Sequence, residues 1–561
     1  MVKLIRRLYR WLINHPLLTI LVLASVLRLV ALDKVPPSLN WDEVSMGYSA
    51  YSIIKTGRDE WGEKLPLFFR SYGEWKSAVY IYLLVPFIKL LGLNAWAVRL
   101  PTSLAGIFAV YLTYLITKQI FDRRSALWAA FFLAVSPWHM MLSRPAFEAS
   151  LSLTLILAGI YFFLNSQSSI TSRSAKNSVL SFWNWSLVAS AVFFGLAPHT
   201  YNSAKVVTPF LVLWLVYVFR KKFRVKHLVV FFTILAIFAY PIAENLLTGK
   251  SQKRYEQVGV TTDLNLITEF YGFRHTFPLP LTINKFIFNK YTLFTYKTVD
   301  NWLSYFSPAF LLSSGGGHTQ HQIPYRGVLY LTEFAAFLVG LWSFFHRRRR
   351  PAITYLPLVI IGLGFLPPAM TRETHHVLRS ILALPGWQML AGLGVVYLQK
   401  KKSPKFLNFY YLLLAIEVIS FISLYFTWYP RAFAQDWQYG YKEAIEFAEA
   451  HRQEYPKVVM TKWYGEPQVF VAFYTKWDPQ DFQKKNIHLL RYETEGKIWL
   501  DQLETYSLGR YTFKYINWYT EDKNKQTLYI GKADDFPFGA KILKTIYFPN
   551  GKVAFHLAVV K

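Results

Sequence analysis

The chain has 561 residues, 53% of them hydrophobic, 18% aromatic and 17% charged, a composition too apolar for an ordinary water-soluble fold. Its formal net charge of +29 lies in short basic runs between apolar stretches; cytoplasmic loops and anionic head groups select such runs, so the charge is assigned to membrane lipids and not to nucleic acid. With no cysteine, disulfides, thiolate zinc sites and thiol catalysis are excluded.

In chain order, Lys3, Arg6, Arg7 and Arg10 precede an apolar run at 16–32 that lacks a small-residue cleavage site, which predicts a retained first helix starting in the cytoplasm. Its far end, near Asp33, then faces outward. The next apolar run, 78–93, is ambiguous. Read as a span, it would place Arg123-Arg124, Arg220-Lys221-Lys222 and the four arginines ending at Arg350 on the outer side; read as an interfacial or re-entrant segment, it leaves every dense basic run inside, Lys400 to Lys402 included. The second reading gives spans near 16–32, 100–116, 126–142, 149–164, 182–198, 206–219, 228–242, 327–345, 353–370, 380–398 and 406–426.

About eleven helices is an odd number, so the segment after the last span ends up outside. The expected architecture is a polytopic α-helical membrane domain, 1–427, followed by a soluble extracytoplasmic α/β domain, 428–561. In the latter, 441–451 has helical spacing, while 457–461, 468–474, 527–530 and 553–560 read as strands. Two outer loops, 33–99 and 243–326, are too long to be mere connectors. A Ser-rich stretch at 166–178 reads as an inner loop, and no internal repeat is evident.

The strongest local signal is Asn40-Trp41-Asp42-Glu43, an acidic pair just past the outer end of the first helix. A carboxylate held there can take a proton from an attacking hydroxyl, as a general base does. Equally, the pair can bias the start of an amphipathic helix over 44–54 through the helix dipole. Glu148 falls in the second outer loop, where it is either a second functional acid or the N-terminal acid of the span that follows. Expelling a lipid phosphate requires cations where charge develops, and Lys76, Lys205 and Arg379 are outer-side candidates, although each could instead snorkel to head groups. Arg379 stands out because it follows His375 and His376 in a short outer loop whose basic character breaks the inside bias. His199 could line the same cavity or simply pack, and Glu417, inside the last span, could contact another helix or water. His318 and His321 follow three glycines at a spacing that could bind metal, but a solvated loop is favoured and no metal ligand is assigned.

With these pieces in place, the chain resembles bacterial members of the GT-C superfamily, specifically the protein O-mannosyltransferase and aminoarabinose-transferase group of glycosyltransferase family 39 type. The resemblance is carried by Trp41-Asp42-Glu43, Lys76-Ser77-Ala78, Val98-Arg99-Leu100-Pro101, Ser136-Pro137 followed by Arg144 and Glu148, and His376-Val377-Leu378-Arg379-Ser380. It implies Asp42 as catalytic base with Glu43 as companion, Glu148 as the second-loop acid, and Lys76, Lys205, His376 and Arg379 around a polyprenyl phosphate. Three features depart from the group: Ser77-Ala78 replaces a prolyl pair, the second acid is Glu and not Asp, and no segment resembles a β-trefoil.

The expected function is transfer of a monosaccharide from a polyprenyl-phosphate donor to a hydroxyl acceptor (protein, lipid or glycan) at the outer face of a bacterial plasma membrane. The enzyme would be mannosyltransferase-like and multi-pass; no cofactor is required, though carboxylates beside a phosphate leave room for a divalent cation. A lipid or polysaccharide transporter and a non-catalytic membrane scaffold are the alternatives. The transporter would place functional polar residues near the bilayer midplane on broken, repeat-related helices.

Overall fold

The computed structural model describes residues 14–73, 75–171, 184–248, 258–346, 350–522, 526–537 and 540–560. The basic residues Lys3 to Arg10, three of the four arginines ending at Arg350, and part of the Ser-rich stretch lie outside the described residues. The chain packs as two compact units: Met1–Val30, Ser103–Ser143 and Phe147–Phe421 form one, and Ala31–Thr102, Arg144–Ala146 and Ile422–Lys561 form the other.

Among the described residues, seven helices are long and apolar enough to cross a membrane, and the pair Arg123–Val135 and Pro137–Ser143, bent by 56°, makes an eighth if counted as one span. Shorter apolar helices occupy Pro16–Leu29, Ala78–Leu91, Trp185–His199 and Leu331–His346. All eleven expected spans therefore correspond to helices, and the ambiguous run is a helix as well.

In lipid, apolar contact alone gives helices little reason to associate, so small residues and polar pairs do that work. A Cβ on Gly394 would meet the Ala336 carbonyl oxygen at 1.8 Å, and one on Gly340 would meet the Leu390 carbonyl oxygen at 1.9 Å. Only glycine lets the backbones of Leu331–His346 and Gly386–Lys401 approach so closely. Glu417 contacts another helix: it accepts hydrogen bonds from Leu331 N at 2.9 Å and Thr332 N at 3.1 Å, satisfying amides at the start of Leu331–His346.

In the second unit, the first loop carries a hairpin of β1 (Phe68–Arg70) and β2 (Trp75–Ser77), in which Phe69 faces Lys76. The same unit holds a six-stranded mixed sheet. Its strands are β3 (Lys457–Thr461), β4 (Tyr506–Leu508), β5 (Tyr511–Lys514), β6 (Thr527–Gly531), β7 (Lys541–Tyr547) and β8 (Val553–Val559), ordered β4-β5-β3-β6-β8-β7. β3 lies parallel to both β5 and β6, and the other pairings are antiparallel. The segment expected as a strand at 468–474 is instead the helix Pro467–Tyr474. Its residues are buried from Pro467 to Phe473, so it shows no polar face from which a period could be read, and a proline sits in its first turn.

That helix packs on Trp41–Thr56: a Cβ on Gly47 would meet the Phe473 ring at 2.7 Å, and Tyr48 donates to the Trp477 carbonyl at 3.1 Å. Two buried guanidiniums bind the carbonyls of the chain entering this unit. Arg99 donates to Leu32 O at 3.0 Å, Pro36 O at 2.9 Å and Ser38 O, while Arg144 donates to Val35 O at 2.8 Å and Ala31 O at 3.2 Å.

Candidate functional site

The sequence-predicted residues fall in both units. Asp42, Glu43 and Lys76 belong to the unit with the sheet; Glu148, Lys205, His376 and Arg379 belong to the other.

In the first group, Asn40 caps the helix Trp41–Thr56 in a reciprocal box, its Oδ1 accepting from Glu43 N at 2.9 Å while Glu43 Oε2 accepts from Asn40 N at 3.0 Å. The two acids then diverge. Glu43 is fully buried and accepts from Arg99 Nε at 2.8 Å, Arg99 Nη2 at 2.9 Å and Ala146 N at 2.9 Å. Four donors saturate its carboxylate, so the companion acid expected to join the chemistry is a positioning residue here.

Asp42, one residue earlier, is 40% exposed, and its Oδ1 lies 2.9 Å from Lys76 Nζ, a cation only 7% exposed that the β1–β2 hairpin delivers. A carboxylate oriented by a buried ammonium and open to solvent can accept a proton from an incoming hydroxyl.

Behind Lys76 are two acids that sequence reasoning missed. Glu60 is buried and accepts from Ser49 Oγ at 2.9 Å; burial, with the neighbouring Asp59 charge, pushes its carboxyl up to about 8, opposed by the charge of Lys76. Burial also raises Asp59 to about 6, although its Oδ1 accepts from Trp61 N at 2.9 Å and Glu63 N at 2.8 Å. Their signal in sequence, two adjacent acids before Trp61, is no different from that of a solvated turn.

In the other unit, the loop after the helix Leu356–Ala369 is held rigidly. His376 N donates to Tyr305 Oη at 2.9 Å, Trp138 Nε1 donates to Val377 O at 2.9 Å, and Ser380 Oγ donates to His376 O at 2.9 Å. Arg379, with 16% of its side chain exposed, donates to Thr371 Oγ1 at 3.1 Å and lies 3.8 Å from Glu373 Oε2. Ser203 Oγ donates to Arg379 O at 3.1 Å, which ties the start of Asn202–Phe219, the helix carrying Lys205, to this loop. Lys205 Nζ donates to Asn202 Oδ1 at 2.7 Å. The structure thus brings the start of the helix that carries Lys205 to the loop that bears His376 and Arg379.

Glu148 opens the helix Glu148–Thr171 as a half-buried N-terminal acid, where the helix dipole favours a negative charge. His199 contacts Phe238 O through Nε2 at 2.6 Å, which gives it a packing role. Glu373, unremarked in the sequence, sits 2.6 Å from His318 Nε2, and that hydrogen bond holds its carboxyl below the usual range.

The family model described as dolichyl-phosphate-mannose-protein mannosyltransferase matches residues 76–243. Among curated proteins no sequence match is found. By fold, the chain is similar to ArnT from Cupriavidus metallidurans bound to undecaprenyl phosphate, with a TM-score of 0.52, 12% identity and coverage of 97% of both chains. It is also similar to the archaeal oligosaccharyltransferase AglB from Archaeoglobus fulgidus in complex with an inhibitory peptide and a dolichol-phosphate, with a TM-score of 0.50 and 15% identity. That match covers 82% of this chain, which spans 64% of the archaeal protein's length. The family model matches residues 76–243, less than half of the chain, and the two structural likenesses, at 12% and 15% identity, show a shared fold.

Proposed function

We propose that this protein transfers a monosaccharide from a polyprenyl-phosphate donor to a hydroxyl acceptor at the outer face of a bacterial plasma membrane. The observation that carries the reading is the Asp42–Lys76 pair, a half-exposed carboxylate 2.9 Å from a buried ammonium. Asp42 takes the acceptor's hydroxyl proton as the oxygen attacks the anomeric carbon; the bond from that carbon to the phosphate oxygen breaks, and polyprenyl phosphate departs with the electron pair. A single displacement of this kind inverts the anomeric centre.

The leaving phosphate is dianionic as it forms, and preorganised cations stabilise it more than they stabilise the donor, which is what lowers the barrier. Arg379 and Lys205, with His376 beside them, are assigned this role, and Lys76 orients Asp42. The mannosyl-type donor and the outward placement of 428–561 are parts of the same proposal, supported by the family match over 76–243 and by the odd span count.

The test is transfer of radiolabelled sugar from a panel of synthetic polyprenyl-phosphate monosaccharides, using membranes that contain the wild type or Asp42→Asn. Loss of about 10²-fold or more in transfer is expected from a variant that still folds and inserts in the membrane. Wild-type turnover by the variant would remove Asp42 as the base.

A further inference from the structure

Three imidazoles and a carboxylate meet in the membrane unit beside Arg379, and the proton transfer assigned to Asp42 uses none of them. His318 reaches this place from the glycine loop and His376 and Glu373 from the loop that bears Arg379; their ligand atoms, one from each residue, lie within 4.8 Å of one another. His318 Nε2 is 2.6 Å from Glu373 Oε1, and His376 Nε2 is 3.8 Å from Glu373 Oε2. His321 completes a triangle, its ring centroid 5.1 Å from His318 and 5.1 Å from His376, with His318 4.9 Å from His376. His321 is 8% exposed, and its buried Nδ1 has no hydrogen-bond partner among the described residues. A buried, unsatisfied ring nitrogen is a polar group taken from water without compensation, unless something absent from the chain itself binds it.

The backbone is shaped to hold the two loops together. A Cβ on Gly316 would meet the His375 carbonyl oxygen at 2.0 Å, so only glycine lets the loop carrying His318 settle against the one carrying His376. Gln322 Oε1 accepts from Gly316 N at 2.6 Å, and Gln322 Nε2 donates to Ser314 O at 2.9 Å, bracing the glycines from behind.

We propose that His318, His376 and Glu373, with His321 beside them, form a binding site for a divalent transition metal of the zinc class. The donor set sorts the metals: imidazole nitrogens with one carboxylate suit zinc or cobalt, whereas magnesium and calcium ask for oxygen throughout. Bonds of about 2.0–2.2 Å require the ligand atoms to draw together, and the partly exposed His318 and Glu373 side chains have the freedom to do so.

Two interactions oppose binding. Arg379 places positive charge 3.8 Å from Glu373, and Arg379 N donates to His376 Nδ1 at 3.2 Å, a long hydrogen bond that ligation through Nε2 gives up as the ring proton moves to Nδ1. Metal binding through Glu373 would turn that carboxylate from Arg379 and leave the guanidinium to an anionic ligand. This last consequence rests on the transferase reading; the binding itself does not.

The experiment uses the full chain without a polyhistidine tag, purified in detergent, stripped with a chelator and titrated with Co²⁺, while bound metal is measured by mass spectrometry and by visible absorption. One Co²⁺ per chain is expected, with the intense bands of a four- or five-coordinate nitrogen-containing site, displaced by Zn²⁺ and weakened at least tenfold in affinity by His318→Ala and by Glu373→Gln. Absence of retained metal, the weak spectrum of an all-oxygen octahedral ion, or affinity unchanged in both variants would overturn the proposal. The wild-type spectrum decides ligation even if a variant does not fold, and no donor sugar is involved, so failure here is separate from failure of the transfer assay.

Discussion

Two acidic positions, one in each unit, have opposite fates. Glu43 is spent on structure: four donors saturate it, a buried arginine neutralises it, and nothing is left for a ligand. Glu373 stands 42% exposed beside imidazoles and a guanidinium, so it can change partners. A buried carboxylate with full coordination fixes a backbone; a half-exposed one in basic company can exchange one cation for another.

The sharpest way to break this comparison is Glu43→Gln. It leaves Arg99 buried without its counter-charge, and about 3–5 kcal/mol of stability should be lost, read as a fall in the melting temperature of the solubilised chain. A variant that melts like wild type yet transfers no sugar would make Glu43 a reacting acid after all. Next in size is Gly316→Ala, which drives a methyl group into the His375 carbonyl and should cost about 1–3 kcal/mol. Gly317→Ala, with nothing within 4 Å of its Cβ, is the control that should leave melting unchanged.

The smallest expected effect concerns Glu60. Its carboxyl is raised from 4.5 to about 8 by burial, so its contribution to stability is full below pH 4.5 and is lost as pH rises through about 8. Glu60→Gln retains an acceptor for Ser49 and should flatten that dependence, exceeding the wild type by on the order of 2 kcal/mol at pH 9 and matching it near pH 5. Parallel melting curves for the two proteins from pH 5 to pH 9 would mean that Glu60 is ionised in the fold throughout.

The membrane helices were legible in the sequence because the bilayer demands long apolar runs, and such runs are visible without knowing any partner. The sheet was less so. β3, β6 and β8 could be read, but β4 and β5 are only three and four residues long, and 468–474, apolar or aromatic after Gln468, carries no period to separate helix from strand. In the candidate site, Asp42, Lys76 and Arg379 were marked by placement near helix ends. What Glu43 does could not be read, because its partner Arg99 is 56 positions away. His318 and His321 were visible as a spacing, but their relation to Glu373 and His376 exists only once two loops meet at a glycine.

The seating of Tyr48 against Trp477 joins positions 429 residues apart. At roughly 5–20 residues per second of synthesis, the first outer loop waits about 20–90 s for the helix and sheet that complete its packing. During that interval Gly47 and Tyr48 lack their final neighbours, and a chain cut short before residue 467 never supplies them. Maturation of the acid-bearing loop is therefore governed by the segment from Pro467 to Trp477, and nonsense mutations ahead of it should deplete the protein through quality control even with the membrane helices inserted.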